Sequence, residues 1–249
     1  MQNFPIISYQ ERNMRRTVVF ILIALLSCAT AQNPQKASDT VKETSADIEP
    51  MRKFFDVFEK DMVNTAHVIA QQELVKTLTH LQKMNFGGNR YYPLEREALT
   101  KMIRELSSYD YAECILLNKS GTVIYTMKED RIFAKNAASF TESLSVLFKN
   151  GKEGPFLLDT NEFPVLSKQY VIFFAIPVPD ADDGVLLAAI HTDAIARLTG
   201  IKGSFVDQNG LIRLSSDPAK LMTASTGFRG KNTGKAFRYH NLEWFTSPD

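Results

Sequence analysis

From Tyr109 to Asp193 short apolar runs alternate with clusters of turn formers, a pattern that suits a small antiparallel sheet with one helix inserted. Tyr111–Leu117 is an apolar run of strand length, and Thr122–Met127 is β-branched and aromatic. Asn118-Lys119-Ser120-Gly121 separates them and ends in the residue that best accepts positive φ, so the two runs make a hairpin. Lys128-Glu129-Asp130-Arg131 is too charged for a strand interior. Beyond it Phe140, Leu144, Leu147 and Phe148 recur at helical spacing, which predicts a helix from Ala137 to Phe148 laid on one sheet face. Phe156-Leu157-Leu158, Gln169–Val178 and Gly184–His191 supply a third, fourth and fifth strand, the last two joined by a loop running from Pro177 to Gly184. The expected class is α+β, built on a five-stranded antiparallel sheet.

The blocks YDYAECILLNKSGTVIYTMKED and FPVLSKQYVIFFAIPVPDADDGVLLAAIHTDAI, with the helix between them, resemble the Cache (PAS-like) extracytoplasmic sensor domains of bacterial methyl-accepting chemotaxis receptors. The resemblance covers Tyr109 to about Thr199 and rests on the order and wording of several blocks, with no single diagnostic residue. It implies a role in chemotaxis or related signal transduction, with a small-molecule ligand held between a sheet face and the segment joining the second and third strands. On that analogy Tyr125 and Tyr170 are walls, Arg131 binds a carboxylate through its forked donors, and Asp159 accepts from an amine. Strand packing for the tyrosines and a surface charge cluster around Arg131 are the other readings of the same residues. The amino-acid-binding signature of some Cache domains is not recognisable, so the ligand class stays open between amino acids, organic acids and other solutes.

The N-terminus carries a second signal. Arg15-Arg16 precedes an apolar stretch, Thr17–Leu26, and a small-residue exit, Ser27–Ala31, as in a secretory signal peptide spanning residues 1–31. At about 1.5 Å per residue the stretch falls short of a hydrocarbon core of about 30 Å, so it reads as a signal rather than a permanent span. The polar residues ahead of it make Met14 a candidate start. Leu25-Leu26-Ser27-Cys28 reads as a lipobox with Cys28 lipidated, and Ala29-Thr30-Ala31 as an ordinary cleavage site; either outcome puts the chain in the periplasm or cell envelope, lipid-anchored in the first case and soluble in the second. Of the two cysteines, Cys114 alone then remains, a small buried hydrophobe with no disulfide partner.

Residues 32–48 are polar and without apolar period, a tether. Phe54, Phe58, Met62, Ala66 and Ile69 then give one apolar face to a long N-terminal helix expected to run from Glu49 to about Met84 and to pack on the sheet. Asn85–Pro93 breaks it, and Leu94–Ser107 forms another helix. Residues 49–199 therefore read as the sensor domain. After Thr192-Asp193, taken as the cap of a short helix at Ala194–Leu198, Gly203–Asp217 reads as a further strand, turn and strand, and resembles the region that follows the first sensor module in the same receptors. Residues 200–249 are expected to form an incomplete second module or tail, stopping before a second sheet is complete. Phe228, Phe237, Trp244 and Phe245 would then stand outside a core as partner contacts.

A net charge of +1 gives no bulk attraction for nucleic acid, and Arg229, Lys231, Lys235 and Arg238 read as a solvated loop. The sequence holds no phosphate-cradling loop, no zinc-ligand spacing and no nucleophile elbow, and His67, His80, His191 and His240 are scattered. No cofactor, metal or catalytic role is expected. The functional expectation is an extracytoplasmic solute-binding sensor that lacks its own cytoplasmic signalling region and works through a membrane-bound partner. A protein-interaction scaffold in the envelope, or a truncated chemoreceptor remnant, is the alternative.

Overall fold

The computed structural model describes residues 48–247 apart from 72, 84–90, 129, 163–169, 180–183 and 231–233. The signal segment with Met14 and Cys28, the tether before Ile48, the loop tip 180–183 and Lys231 lie outside the described residues. No helix among the described residues is long and apolar enough to cross a membrane.

Five strands, β1 (Glu113–Leu117), β2 (Val123–Thr126), β3 (Phe156–Glu162), β4 (Tyr170–Val178) and β5 (Gly184–His191), form an antiparallel sheet in the order β2-β1-β5-β4-β3. Its strands read as continuous apolar runs because both faces are buried. Cys114, Leu116, Ile172, Phe174, Leu186 and Ala188 lie in one core cluster. Ile115, Leu117, Phe173, Ala175, Val185 and Leu187 lie in the other, with Leu144 and Leu147. Those two leucines belong to α5 (Glu142–Gly151), which follows the single turn α4 (Ala137–Phe140). The one helix expected here is broken at Thr141, whose extended backbone and hydroxyl, accepting from the Leu144 amide at 3.2 Å, start a new helix.

The first face is covered by α1 (Glu49–Ala70), α2 (Glu73–Lys83) and α3 (Tyr91–Leu106). The expectation of one helix from Glu49 to about Met84 is corrected: α1 ends at Ala70. The reason is a phase slip. Continuing the stripe of Phe58, Met62 and Ile69 would put residues 73 and 76 against the core, yet the buried side chains are Val75 and Leu78, so the axis must turn to keep the apolar side inward. The third helix starts three residues before the expected Leu94, because Pro93 falls in a first turn, where its missing N–H has no intrahelical acceptor to lose.

A short helix, α6 (Thr192–Thr199), leaves β5. Its expected cap does not form: the Thr192 hydroxyl donates to the Tyr170 carbonyl at 3.3 Å, and Asp193 sits 3.7 Å from Arg197 one turn on. Beyond it a second antiparallel sheet does form, from β6 (Ser204–Val206), β7 (Ile212–Ser215), β8 (Ala236–Tyr239) and β9 (Leu242–Ser247), in the order β7-β6-β9-β8. Phe237, Trp244 and Phe245 are at most 2% exposed, so they build a core instead of standing outside one, and Phe228 is half-buried against Phe245. Arg229, Lys235 and Arg238 are exposed.

The second sheet repeats the first in detail. Asn118 and Asp207 open equivalent hairpin turns, each side-chain oxygen accepting the amides two and four residues on, at 2.8–3.0 Å. Each turn closes with a glycine at positive φ, Gly121 (76°) and Gly210 (79°), where a side chain would be strained and would also strike Phe148 or Phe228. A 3-10 turn follows each hairpin, at Asp130–Ile132 and at Pro218–Lys220. Each then leads into a left-handed residue, Ala134 or Met222, whose amide returns to Val123 or Ile212.

The α1 helix and the edge strand β3 hold the two sheets together. On α1, Phe58 meets Phe174 of the first sheet at 5.6 Å between ring centres, while Phe55 meets Phe237 of the second at 5.7 Å. On β3, the Asn241 amide donates to the Leu157 carbonyl (2.7 Å) and accepts from the Leu157 amide (2.8 Å), standing in for a neighbouring strand. Phe55→Ala should therefore cost about 3–5 kcal/mol, as for other fully buried phenylalanines, with circular dichroism and Trp244 fluorescence showing one common shift to lower urea. Separate transitions would mean that the helix does not couple the sheets.

Candidate functional site

Strand direction brings the start of β1, the ends of β2 and β5 and the start of β4 to one end of the first sheet. Polar chemistry gathers there. Glu113 is fully buried, and its carboxylate accepts from the amides of Cys114 (2.9 Å), Met127 (2.7 Å) and Lys128 (3.1 Å), closing the end of the β1–β2 pair. The Lys128 ammonium turns back to the Tyr111 carbonyl at 2.8 Å. Thr126, the last residue of β2, is buried as well. On the last residue of β5, His191 is half-buried among Asp110, Lys128, Asp193 and Arg197. Burial lowers its pKa below the ordinary histidine value, Lys128 and Arg197 act in the same direction, and Asp193 and Asp110 oppose them.

By strand alternation Glu113 and His191 lie on the α5 side, opposite Ala189 and Val171. The α5 helix ends elsewhere on that face, where a side chain at Gly151 would come within 2.8 Å of Ala175 and Val185. On the other side of the same sheet end a hollow of about 350 Å³ opens between the segment before β1 and α6. Tyr109, Ile190, Ala194 and Leu198 give it apolar walls, and Asp110 and Arg197 give it opposite charges.

Of the residues singled out from sequence, Tyr170 falls at this end and Arg131 lies in the turn that leads away from it. Arg131 is exposed in the 3-10 turn after β2, and its neighbour Ile132 is buried in the cluster under α5. Tyr170 is half-buried at the first residue of β4. The other two are not brought to them. Tyr125 is fully buried on the helix-covered face, its hydroxyl 2.9 Å from that of Thr100. Asp159 lies on β3 at the opposite sheet edge from β2, about 19 Å away at four strand spacings, where it accepts from the Trp244 indole at 3.1 Å and sits 3.5 Å from Arg213. Tyr125 and Asp159 thus have separate surroundings, four strands apart. The sequence reasoning missed Glu113, which reads as one polar letter in an apolar run, and Asp110 and Arg197, whose proximity depends on where α6 turns.

No protein-family model matches the chain, and no curated protein sequence does. Solved structures are similar. The sensory domain of the Campylobacter jejuni chemoreceptor Tlp3 (CcmL) aligns over 79% of this chain and 81% of that one, at 15% identity and a TM-score of 0.51. The ligand-binding domain of the same chemoreceptor in complex with L-valine aligns over 79% and 80%, at 16% identity and a TM-score of 0.50. The sensor domain of the V. cholerae histidine kinase DctB aligns over 73% and 71%, at 20% identity and a TM-score of 0.46. At such identities the likeness is one of fold alone: this chain has the α+β, Cache/PAS-like fold that the Tlp3 sensory domain also has.

The His191 environment has a pH consequence. Its folded-state pKa is lowered, so below an unfolded value of about 6.5 the unfolded chain binds the extra proton first and stability falls as the pH falls. The melting temperature should drop between neutral pH and about pH 5, and His191→Asn should flatten that drop. An unchanged slope in the variant would show that His191 is not the group responsible.

Proposed function

We propose that this chain is an extracytoplasmic module that binds a small charged solute and passes the binding event to a membrane-bound signalling partner. The observation that carries this reading is the gathering of Asp110, Lys128, Asp193 and Arg197 around His191, at one end of a sheet whose strands are otherwise packed with apolar side chains on both faces. Ligand sites in folded domains are mainly apolar with a few convergent polar groups, and a volume of about 350 Å³ falls within their range. The Tlp3 ligand-binding domain, of similar fold, is in complex with L-valine in one solved structure and with 4-methylisoleucine in another. A zwitterion needs a cation for its carboxylate and an anion for its ammonium, and both signs are present here. Amino acids come first among the candidate ligands and organic acids second. Arg131 is the proposed carboxylate partner and Tyr170, which strand alternation sets on the helix-covered side, a proposed wall, with Arg197 and Asp110 the corresponding pair at the hollow. A periplasmic or envelope location, with or without a lipid on Cys28, belongs to the same proposal.

A thermal-shift screen of amino acids, organic acids, amines and sugars tests it. A ligand at about 100 times its dissociation constant adds about 2.7 kcal/mol, several degrees in a domain of this size. Arg131→Ala should abolish the shift by an anionic ligand while leaving the unliganded melt unchanged. Loss with Arg197→Ala instead would move the site to the hollow. No shift by any compound on a cooperatively melting protein would overturn the reading and favour the protein-interaction scaffold.

A further inference from the structure

In the first sheet the last strand, β5, lies beside the first, β1, the penultimate strand β4 lies beside β5, and β3 closes the edge beyond β4. The second sheet follows the same rule. Its last strand β9 lies beside β6, its penultimate strand β8 lies beside β9, and no strand of the described residues lies beyond β8. The matching hairpin turns, 3-10 turns and left-handed residues make the correspondence one of residues as well as of strand order. The position filled by β3 in the first sheet is therefore open in the second.

The ladder shows which groups face that opening. The Thr246 amide donates to the Lys235 carbonyl, so residues 235, 237 and 239 turn their amides and carbonyls toward β9, while Ala236 and Arg238 turn theirs outward. Among the described residues nothing pairs with those outward groups. Both residues are exposed, whereas Phe237 between them is fully buried and holds the strand in place.

We propose that the β8 edge pairs with the β8 edge of a second copy of this chain, joining two four-stranded sheets across a twofold axis. The edge is complementary to itself. An antiparallel pairing centred on Phe237 sets Ala236 of each copy opposite Arg238 of the other, so that both outward residues exchange amide and carbonyl hydrogen bonds with the facing strand. Shifting the register to set Arg238 against Arg238 would place like charges face to face, which selects against it. Arg238 stays beside Glu243 of its own chain, at 2.7 Å, on the exposed face. So short a strand gives a weak, reversible dimer, and tethering both copies to one membrane would raise its population.

Substitution at exposed Ala236 tests the pairing without touching a core. Sedimentation velocity of the full chain over a dilution series should show a reversible dimer. Ala236→Lys, which sets Lys opposite Arg238, should weaken it about five- to tenfold, and Ala236→Glu should strengthen it by a similar factor. Hydrogen exchange should show the Ala236 and Arg238 amides fast in the monomer and slow in the dimer. A monomer at every concentration, or a dimer indifferent to both substitutions, would overturn the proposal. Slow exchange of both amides in the monomer would overturn it too, since another segment of the chain would then occupy the edge. Unchanged circular dichroism melts exclude misfolding as the cause of any loss.

Discussion

The structure depends on one helix packing against two sheets at once. Along α1, Phe54 and Phe58 turn toward Tyr109 and the first sheet while Phe55 turns toward Phe237, Tyr239 and Trp244 of the second. Adjacent positions on a helix point about 100° apart, so a two-residue aromatic step such as Phe54-Phe55 is the least that can reach two different neighbours. The apolar stripe is consequently wider than a helix lying on a single sheet requires, and Met51, Met62, Ala66 and Ile69 extend it along the groove between them. The polar contacts along this seam only refine the position that the aromatics set. Glu59 takes the Tyr239 hydroxyl at 2.6 Å and His240 at 2.8 Å, at a rim where charged pairs contribute little by themselves.

A sheet buried on both faces has few places for chemistry. The strands β1, β2, β4 and β5 commit both sets of side chains to packing, so charged groups collect at the sheet's ends and on its edge strand β3. At the end where β1 starts the solution is unusual, because a carboxylate is buried completely. Glu113 is tolerated there because three backbone amides, those of Cys114, Met127 and Lys128, donate to its carboxyl group. A side chain fixed in this way by main chain cannot swing aside, and it sits one strand from His191. Polar groups at the sheet end are thus held by the fold itself.

Much of this was legible in the sequence because the signals were local. Strand positions, the two Asx-x-x-Gly hairpins and the five-stranded sheet follow from apolar patterning and turn chemistry, which act over a few residues, whereas β3 runs on to Glu162, past the expected Phe156–Leu158. The break of the long helix was also written in the sequence, as the slip of the apolar stripe between Ile69 and Val75, but it becomes decisive only when a second helix and β2 are there to be packed. The fate of Phe237 and Trp244 was not legible. Whether aromatics near a chain end form a core depends on partners far away in sequence, here Phe55 and Phe205. Asp159 misled for the same reason. A carboxylate in a strand suggests a ligand contact, and nothing near it announces that Trp244 and Arg213 arrive from the second sheet to occupy it.

The second sheet is a shortened copy of the first, and what it lacks determines how it is held. Among the described residues no counterpart of α5 covers its outer face, where Phe228 packs against a small cluster of Val206, Ile212 and Phe245. With less apolar area of its own, it borrows stability from outside: α1 supplies Phe55, and β3 supplies Leu157 and Asp159. β3 therefore faces two ways. Its hydrogen bonds to β4 end at the Glu162–Tyr170 pair, at the polar end of the first sheet, while its side chains and free edge grip the second. A displacement of that strand cannot leave Trp244 and Arg213 where they are, because Asp159 binds both. Trp244 is the only tryptophan in the chain, so its indole environment reports on a strand that touches both the polar sheet end and the second module.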